Sequence, residues 1–285
     1  MISNPGTIGT AIDLASVVLS DAKIENSRGE AHLLMEYASN TPVSRLRGSP
    51  NSHISDSAWR KLWSLTKRRA QHEPFAYLIK SKEFWSLPFE VSRKTLIPRP
   101  ESETVIETVL DFIPNKNDHM RLLDLGTGSG CLLGALLKEF NYSFGLGVDV
   151  NNAVTKITRR NMRMLGLQAR SEIRIGNWGE TLNGSFDIIV SNPPYIRSQD
   201  INKLDISISK FEPRIALDGG KDGLKAYRIL AKQFRGLLSD SGVVVVEFGC
   251  GQENAVTNIF RESGLKIKRI GYDLSAQKRC LLATL

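Results

Sequence analysis

Ser191-Asn192-Pro193-Pro194-Tyr195 follows the apolar run 186–190 without a break, and no other segment of this chain has residue types better suited to chemistry. Two prolines fix the backbone and remove two N–H donors, so the loop presents carbonyls and the Asn192 amide as aimed acceptors. A substrate offering an NH2 group matches that arrangement. In an amide or exocyclic amine the nitrogen lone pair is delocalised. Two acceptors holding its two N–H bonds draw the nitrogen toward a pyramidal state, with the lone pair facing an electrophile. Asn192, Pro193 and Tyr195 are the candidate catalytic residues. Pro194 joins them in gripping the substrate, and the Tyr195 ring packs on the planar amide or base. Catalysis of this kind comes from positioning and electrostatics, with no dedicated general base. The plain alternative is an ordinary Asn-Pro-Pro turn, disfavoured by its place at a strand's carboxyl end.

The electrophile's carrier is read from Leu123-Asp124-Leu125-Gly126-Thr127-Gly128-Ser129-Gly130, where a strand runs into a helix through a glycine-rich turn. Glycines there let the backbone approach a ligand at the sheet's carboxyl edge, beside the helix N-terminus. The spacing is G-x-G-x-G after an aspartate, whereas dinucleotide turns have G-x-G-x-x-G, so NAD is disfavoured. About twenty residues on, Asp149 ends the next strand, where a carboxylate accepts both ribose hydroxyls of an adenosine group. Together Gly126, Thr127, Gly128, Ser129, Gly130 and Asp149 point to S-adenosylmethionine, with Asn192 also within its reach. Asp124 would face the cofactor's cationic methionine end or serve as an acceptor within the loop. The plain alternatives are a tight turn for the glycines and, for Asp149, a helix N-cap ahead of Ala153.

These residues need a scaffold, and the hydrophobic patterning predicts one. Runs 122–125, 144–148, 172–175, 186–190 and 243–248 are short, apolar and β-branched, with helical stretches at 131–140, 153–165 and 224–238 between several of them. Such alternation is the mark of an α/β protein with a doubly wound, mostly parallel sheet. Two last strands, 267–271 and 280–283, close the sheet as a hairpin and bring the count to seven. Ahead of it, residues 8–80 read as a helical bundle with apolar faces at Ile12/Ala15/Leu19, Leu33/Leu34/Tyr37 and Trp59/Leu62/Leu65. Residues 40–52 are expected to be a loop, and Ser55 or Asp56 to cap the helix that follows. Alternation around Phe84, Trp85, Leu87 and Phe89 predicts a β-hairpin linker. Leu96-Ile97-Pro98-Arg99-Pro100-Glu101 then breaks regular structure before helical periodicity resumes at 101–112. The expected domains are 1–81, a helical substrate-docking domain; 82–100, the hairpin linker; and 101–285, the cofactor-binding catalytic domain.

At 285 residues and 41% hydrophobic content the chain is long and apolar enough to bury a sizeable core, which excludes disordered and fibrous classes. Three scattered cysteines and four scattered histidines form neither a disulfide framework nor a metal-ligand cluster, so a reducing cytoplasm is expected. No apolar run approaches the roughly 20 residues of a membrane span, and the start of the chain does not read as a signal peptide. The net charge of +8 is uneven, with 14 basic and 9 acidic residues in 1–100 against 24 and 21 in the remainder. Arg60, Lys61, Lys67, Arg68 and Arg69 form its sharpest cluster, either a solvated helix face or a surface for an acidic or RNA-bound partner.

The loop at 191–195 and the glycine turn resemble the class I S-adenosylmethionine-dependent methyltransferases of the N-P-P-Y type. Further stretches narrow the resemblance: His72-Glu73-Pro74-Phe75-Ala76-Tyr77, Glu83-Phe84-Trp85-Ser86-Leu87-Pro88-Phe89, Leu96-Ile97-Pro98-Arg99-Pro100-Glu101, and Glu212-Pro213-Arg214-Ile215-Ala216-Leu217-Asp218-Gly219-Gly220 with Asp222-Gly223-Leu224. Over nearly its whole length the chain is similar to the protein-glutamine N5-methyltransferases of peptide chain release factors. The resemblance implies a Rossmann-like methyltransferase sheet and a cofactor held by 126–130 and Asp149, with Trp178 flanking the adenine. It further implies that Asn192 to Tyr195 grip the glutamine of the factor's Gly-Gly-Gln tip, while the helical domain helps dock the factor. Arg99 and Glu101 would shape the substrate channel or brace it. Asn177 stands where such proteins usually have an acid, Gly179 where they have an aromatic, and Ile79-Lys80-Ser81 where they have a glycine-containing turn. A monomer without stable nucleic-acid binding is expected. The competing assignment is a DNA or RNA exocyclic-amine methyltransferase, acting on adenine N6 or guanine N2; a cofactor-binding module without catalysis is the third.

Overall fold

The computed structural model describes residues 3–285. In chain order its elements begin with α1 (Ile8–Asp21), α2 (Ser27–Ser39), α3 (Val43–Gly48), α4 (Asp56–Arg69) and α5 (Phe75–Ile79). A hairpin of β1 (Ser81–Phe84) and β2 (Leu87–Glu90) leads to α6 (Glu103–Phe112), β3 (Arg121–Leu125), α7 (Cys131–Glu139), β4 (Phe144–Asp149) and α8 (Asn152–Met164). Then come β5 (Ser171–Ile175), β6 (Phe186–Ser191), α9 (Ile206–Ser209), α10 (Lys225–Leu237), β7 (Leu238–Glu247), α11 (Glu253–Glu262), β8 (Lys266–Tyr272) and β9 (Lys278–Thr284). The described chain divides into two compact units, one running up to Lys80 and including Asp205–Phe211, the other Ser81–Leu204 with Glu212–Leu285.

The first unit is a small bundle around Leu19, Leu34, Met35, Leu46, Trp59 and Leu62. Thr7 caps α1 and Ser55 caps α4, each side-chain oxygen taking a backbone N–H of the first turn. The segment expected as a loop between 40 and 52 contains α3, whose six residues bury only Leu46 and so leave no periodic signature. Much of the basic cluster is spent inside this unit. Arg68 makes a two-pronged pair with Glu73, Arg69 another with Glu30, and Lys61 lies 4.1 Å from the Tyr37 ring centroid while bonding its carbonyl. Arg60 and Lys67 point to solvent.

The second unit holds the seven-stranded sheet, ordered β5-β4-β3-β6-β7-β9-β8. The five strands β5 to β7 in that order are parallel, and β9 runs antiparallel to both β7 and β8. Period-two alternation sends Leu122, Ile188 and Val190 to a core shared with α6, α7 and α8, and Leu123, Ile189 and Leu125 to one shared with α10 and α11. α11 fills a stretch to which the sequence pattern assigns no element; Val256 and Phe260 are its buried face. Because β4 leaves β3 toward one side and β6 lies on the other, the strand order reverses at β3, and a crevice opens at the carboxyl ends of β3 and β6.

Trp85, Ser86 and Lys80 are among the side-chain-bearing residues that take positive φ, where glycine is the easier choice. Trp85 and Ser86 both take positive φ in the two-residue turn of the β1–β2 hairpin. The turn is held by the Trp85 N–H on Glu103 (2.7 Å) and its indole N–H on Glu139 (2.8 Å). Lys80 ends α5 at φ +58, where a Cβ is strained and glycine is not, and its side chain is exposed. Lys80→Gly therefore raises stability by about 1 kcal/mol, read as a higher midpoint in urea unfolding.

Candidate active site

A cavity of about 390 Å³ opens at the carboxyl ends of β3, β4 and β6, lined among others by Asp124, Gly126, Gly128, Asp149, Trp178 and Asn192. Its size lies within the usual range for small-molecule sites. The glycine turn forms one wall. Gly126, Gly128 and Gly130 all have positive φ, and the N–H groups of Gly126 and Thr127 both donate to Val148 O at 2.9 Å, which ties the turn to β4. A Cβ on Gly126 would lie 3.1 Å from the Trp178 ring, and one on Gly130 would lie 2.7 Å from Thr158 Cγ2, so both positions exclude a side chain. Behind the turn, Asn161 is wholly buried; its amide donates to Ser129 O (2.8 Å) and Glu90 O (3.0 Å) and accepts from Glu90 N (2.7 Å).

Two carboxylates face this wall. Asp149 accepts the N–H of Gly128 on Oδ2 (3.1 Å) and of Asn151 on Oδ1 (2.9 Å). Burial raises its pKa and those two N–H bonds oppose the rise. It is not the helix cap, since Asn151 caps α8 through Ala153 N. Asp124 is 1% exposed; Oδ2 accepts the Thr127 hydroxyl at 2.7 Å, and Oδ1 has no hydrogen-bond partner. Burial pushes its carboxyl up to about 7, against the Thr127 hydroxyl and the Leu133 backbone N–H.

The loop at 191–195 forms the opposite wall, and its backing explains the glycine-rich segment that follows it. Ser191 Oγ donates to Leu125 O (2.7 Å), joining the ends of β6 and β3. Asn192 Nδ2 donates to Ser102 Oγ (3.0 Å). A Cβ on Gly219 would lie 2.8 Å from Pro194 O, one on Gly223 2.4 Å from Tyr195 O, and one on Gly249 2.9 Å from the Tyr195 ring. Bare backbone thus packs directly on this loop, and Gln252 Nε2 adds a bond to Tyr195 O (3.0 Å). Of the four predicted substrate residues, Asn192 and Pro194 line the cavity. The Pro193 ring is buried, and Tyr195, partly buried, packs against the core cluster to which α10 contributes, where burial raises its hydroxyl pKa.

The two proline-containing segments meet at one carboxylate. Glu212, buried, pairs with the Arg99 guanidinium on Oε1 and accepts Ile97 N on Oε2 (3.2 Å). Arg99 thereby braces 96–101, and Arg99 and Ser102 both reach the cavity while Glu101 stays exposed. Trp178 lines the cavity half-buried. The glycine at 179 is matched to its neighbours: its N–H bonds Gln233 Oε1 at 2.9 Å, and a Cβ would lie 2.6 Å from Leu237. Asn161, Gln252, Ser102 and Glu247 are the polar supports the sequence pattern did not single out. Glu247 alone carried a usable signal, an acid ending an apolar strand.

Among the described residues no cluster of His, Cys, Asp and Glu is placed to hold a metal ion, and no helix is long and apolar enough to cross a membrane. An open parallel sheet with a reversed final hairpin, a glycine turn and an acid at the tips of β3 and β4, and an Asn-Pro-Pro-Tyr loop after β6 define a methyltransferase of the Rossmann-like class. Residues 10–79 match the family model described as PrmC N-terminal domain, and 105–209 the methyltransferase small domain. The chain is 38% identical to release factor glutamine methyltransferase of Rhodospirillum rubrum, over 97% of this chain and 84% of that one. It is also 38% identical to that of Caulobacter vibrioides (93% and 91%) and 32% to that of Agrobacterium fabrum (96% and 96%). The chain belongs to the release factor glutamine methyltransferase family. Among solved structures, the hMettl16 catalytic domain bound to an RNA hairpin shares the fold at TM-score 0.58 (17% identity, 77% and 81% covered), and a Pyrococcus furiosus methyltransferase at 0.52 (20%, 76% and 98%).

Asn161, wholly buried, satisfies three backbone groups at once. Asn161→Ala is expected to lower stability by about 2–4 kcal/mol, measured as the shift of the chemical-denaturation midpoint.

Proposed function

We propose that this enzyme methylates the side-chain amide nitrogen (N5) of the glutamine in the Gly-Gly-Gln motif of peptide chain release factors, with S-adenosylmethionine as methyl donor. The observation that carries the reading is the orientation of Asn192. Its Nδ2 is committed to Ser102, which leaves Oδ1 as the free acceptor of a cavity-lining amide. An acceptor there suits an NH2 group and repels a carboxylate or hydroxyl lone pair. Family membership supports the choice of a release-factor glutamine over a nucleic-acid amine, and the pairing of Arg68 with Glu73 and of Arg69 with Glu30 offsets two of the charges a nucleic-acid surface would use.

The residues present fit the cofactor. Gly126, Thr127, Gly128, Ser129 and Gly130 form a cradle without side chains at its closest approach. Asp149 keeps lone pairs for ribose hydroxyls beyond its two N–H bonds, Trp178 offers a ring face for the adenine, and Asp124 Oδ1, buried and unpartnered, matches an ammonium. When bound, the cofactor supplies an electrophilic sulfonium methyl. The chain holds the glutamine amide by Asn192 Oδ1 and the carbonyls of the 192–195 loop, and these acceptors stabilise the positive charge that grows on the nitrogen as it is alkylated. The proton is then acidic enough to leave without a dedicated base. Pro193 and Tyr195 keep the loop rigid from behind, and the helical unit docks the factor. One chain supplies every residue named, so a monomer suffices, and three free thiols suit a reducing cytoplasm.

Transfer of label from S-adenosylmethionine to purified release factor, with a Gln→Ala change in the Gly-Gly-Gln tip and with DNA and RNA in parallel, tests the assignment; label on nucleic acid and not on the tip would overturn it. Asn192→Ala should lower kcat roughly 100- to 1,000-fold while leaving cofactor affinity nearly unchanged, since one transition-state acceptor is lost. Asp124 must be ionised to meet an ammonium, and with its pKa raised to about 7 it is largely protonated below that pH. Cofactor Kd should therefore fall by up to tenfold per pH unit as pH rises toward about 7, and then level off. Asp124→Asn should flatten that dependence, and titration calorimetry in buffers of different ionisation enthalpy should count the released proton.

A further inference from the structure

The carboxyl end of β7 carries a buried acid for which the transfer geometry above has no use. Glu247 is the last residue of β7 and 2% exposed. The β6–β7 register sets Val246 beside Ser191, which brings Glu247 level with Asn192. Its Oε2 has no hydrogen-bond partner. The polar side chains that face its carboxyl are Ser102, from the turn before α6, and Asn192. Arg279 on β9 acts on it as a cation already paired with Asp273, while Glu101 acts as an anion. Tyr195 lies nearby, and the Tyr227 hydroxyl from α10 donates to the Glu247 backbone carbonyl at 3.0 Å. Across the strand pair stands Cys280, a thiol that burial holds neutral.

The Ser102 hydroxyl has one hydrogen, and this makes the chain Glu247–Ser102–Asn192 directional. An ionised Glu247 can only accept, so it draws the Ser102 hydrogen and an Asn192 N–H toward it, and Ser102 in turn accepts from Asn192 Nδ2 at 3.0 Å. Oδ1 is then the atom of Asn192 left for the substrate. A protonated Glu247 can donate to Ser102, which frees the serine hydrogen for Asn192 Oδ1. The amide is then favoured in the opposite orientation, its NH2 turned on the NH2 of the substrate. We propose that Glu247 is a positioning residue, acting through Ser102 to set which atom of Asn192 meets the substrate amide, and that the site is competent only with Glu247 ionised. This rests on the reading of Asn192 as the acceptor of the glutamine amide.

Burial pushes the Glu247 carboxyl up to about 7, against Ser102, Arg279 and Asn192 and with help from Glu101, so the switch falls in an accessible pH range. The experiment is kcat for methyl transfer to release factor between pH 5.5 and 9, with cofactor and factor saturating, for the wild type, Glu247→Gln, Ser102→Ala and the double variant. Saturation separates this ionisation from that of Asp124, which acts on cofactor affinity. The wild type should gain up to tenfold per pH unit below about 7 and then level off. Glu247→Gln, whose amide can donate to Ser102 at every pH, should lose the acid limb and run roughly 10- to 100-fold below wild type at pH 8. Ser102→Ala should lose most of the limb, and the double variant should fall about as low as the worse single one, because both residues act on the orientation of Asn192. A wild-type acid limb or wild-type rate in Glu247→Gln overturns the proposal. If that variant does not fold, a wild-type limb in Ser102→Ala overturns it equally. Absence of transfer by the wild type at every pH overturns instead the reading on which it rests.

Discussion

A parallel sheet whose strand order reverses at β3 is open at its carboxyl edge between β3 and β6, and the glycine turn, Asp149 and the Asn192 loop all hang from that edge. Sheet hydrogen bonding ends there, so backbone groups at Leu125, Val148 and Asp149 are free to take partners outside the ladder. Leu125 O takes the Ser191 hydroxyl, Val148 O takes two N–H groups of the glycine turn, and the Asp149 carboxylate takes two more. The position of the glycine turn relative to the Asn192 loop is thus set by the ends of adjacent strands.

Glycines do two different jobs around this edge. In the turn at 126–130 they leave room for a ligand and for Trp178 and Thr158. At Gly219, Gly223 and Gly249 they let three other stretches of backbone press against the Asn-Pro-Pro-Tyr loop from behind. A loop with two prolines cannot bond itself into a sheet, so its rigidity is borrowed from that close packing and from Gln252. The same logic holds at Glu212, where one buried carboxylate fastens the 96–101 segment by a guanidinium and a backbone N–H together.

The site keeps two buried carboxyls, Asp124 and Glu247, each with one oxygen unpartnered and each pushed to about 7. Both have folded pKa values raised above the ordinary carboxylate range. Their neutral forms are therefore favoured by folding, and the stability they contribute is full at low pH and lost as pH rises through about 7. Asp124 lies against the glycine turn and Glu247 against Ser102 and Asn192, so the stability they forgo at neutral pH is forgone around the cavity.

The order of elements, the turn chemistry of 126–130 and the Asn-Pro-Pro-Tyr loop were legible in the chain because they rest on local physics: hydrophobic period, glycine backbone freedom and proline's missing donor. The closing hairpin, expected at 267–271 and 280–283, was read for the same reason, and the cap expected at Ser55 or Asp56 is Ser55. Three kinds of feature were not. Short α3 lacks a full period and α11 follows a loop whose glycines hide its start. The partners of Arg68 and Arg69 make a basic run look freer than it is. Ser102, Asn161 and Gln252 acquire their roles only from neighbours tens of residues away, since a hydrogen-bond partner at that separation leaves no trace in local spacing, and Glu247 shows in the sequence only as an acid ending an apolar strand. Residue types and their order determined which chemistry this protein can support. The tertiary structure decided which atom of each side chain is left free to perform it, because that depends on what every other polar group nearby has already bound.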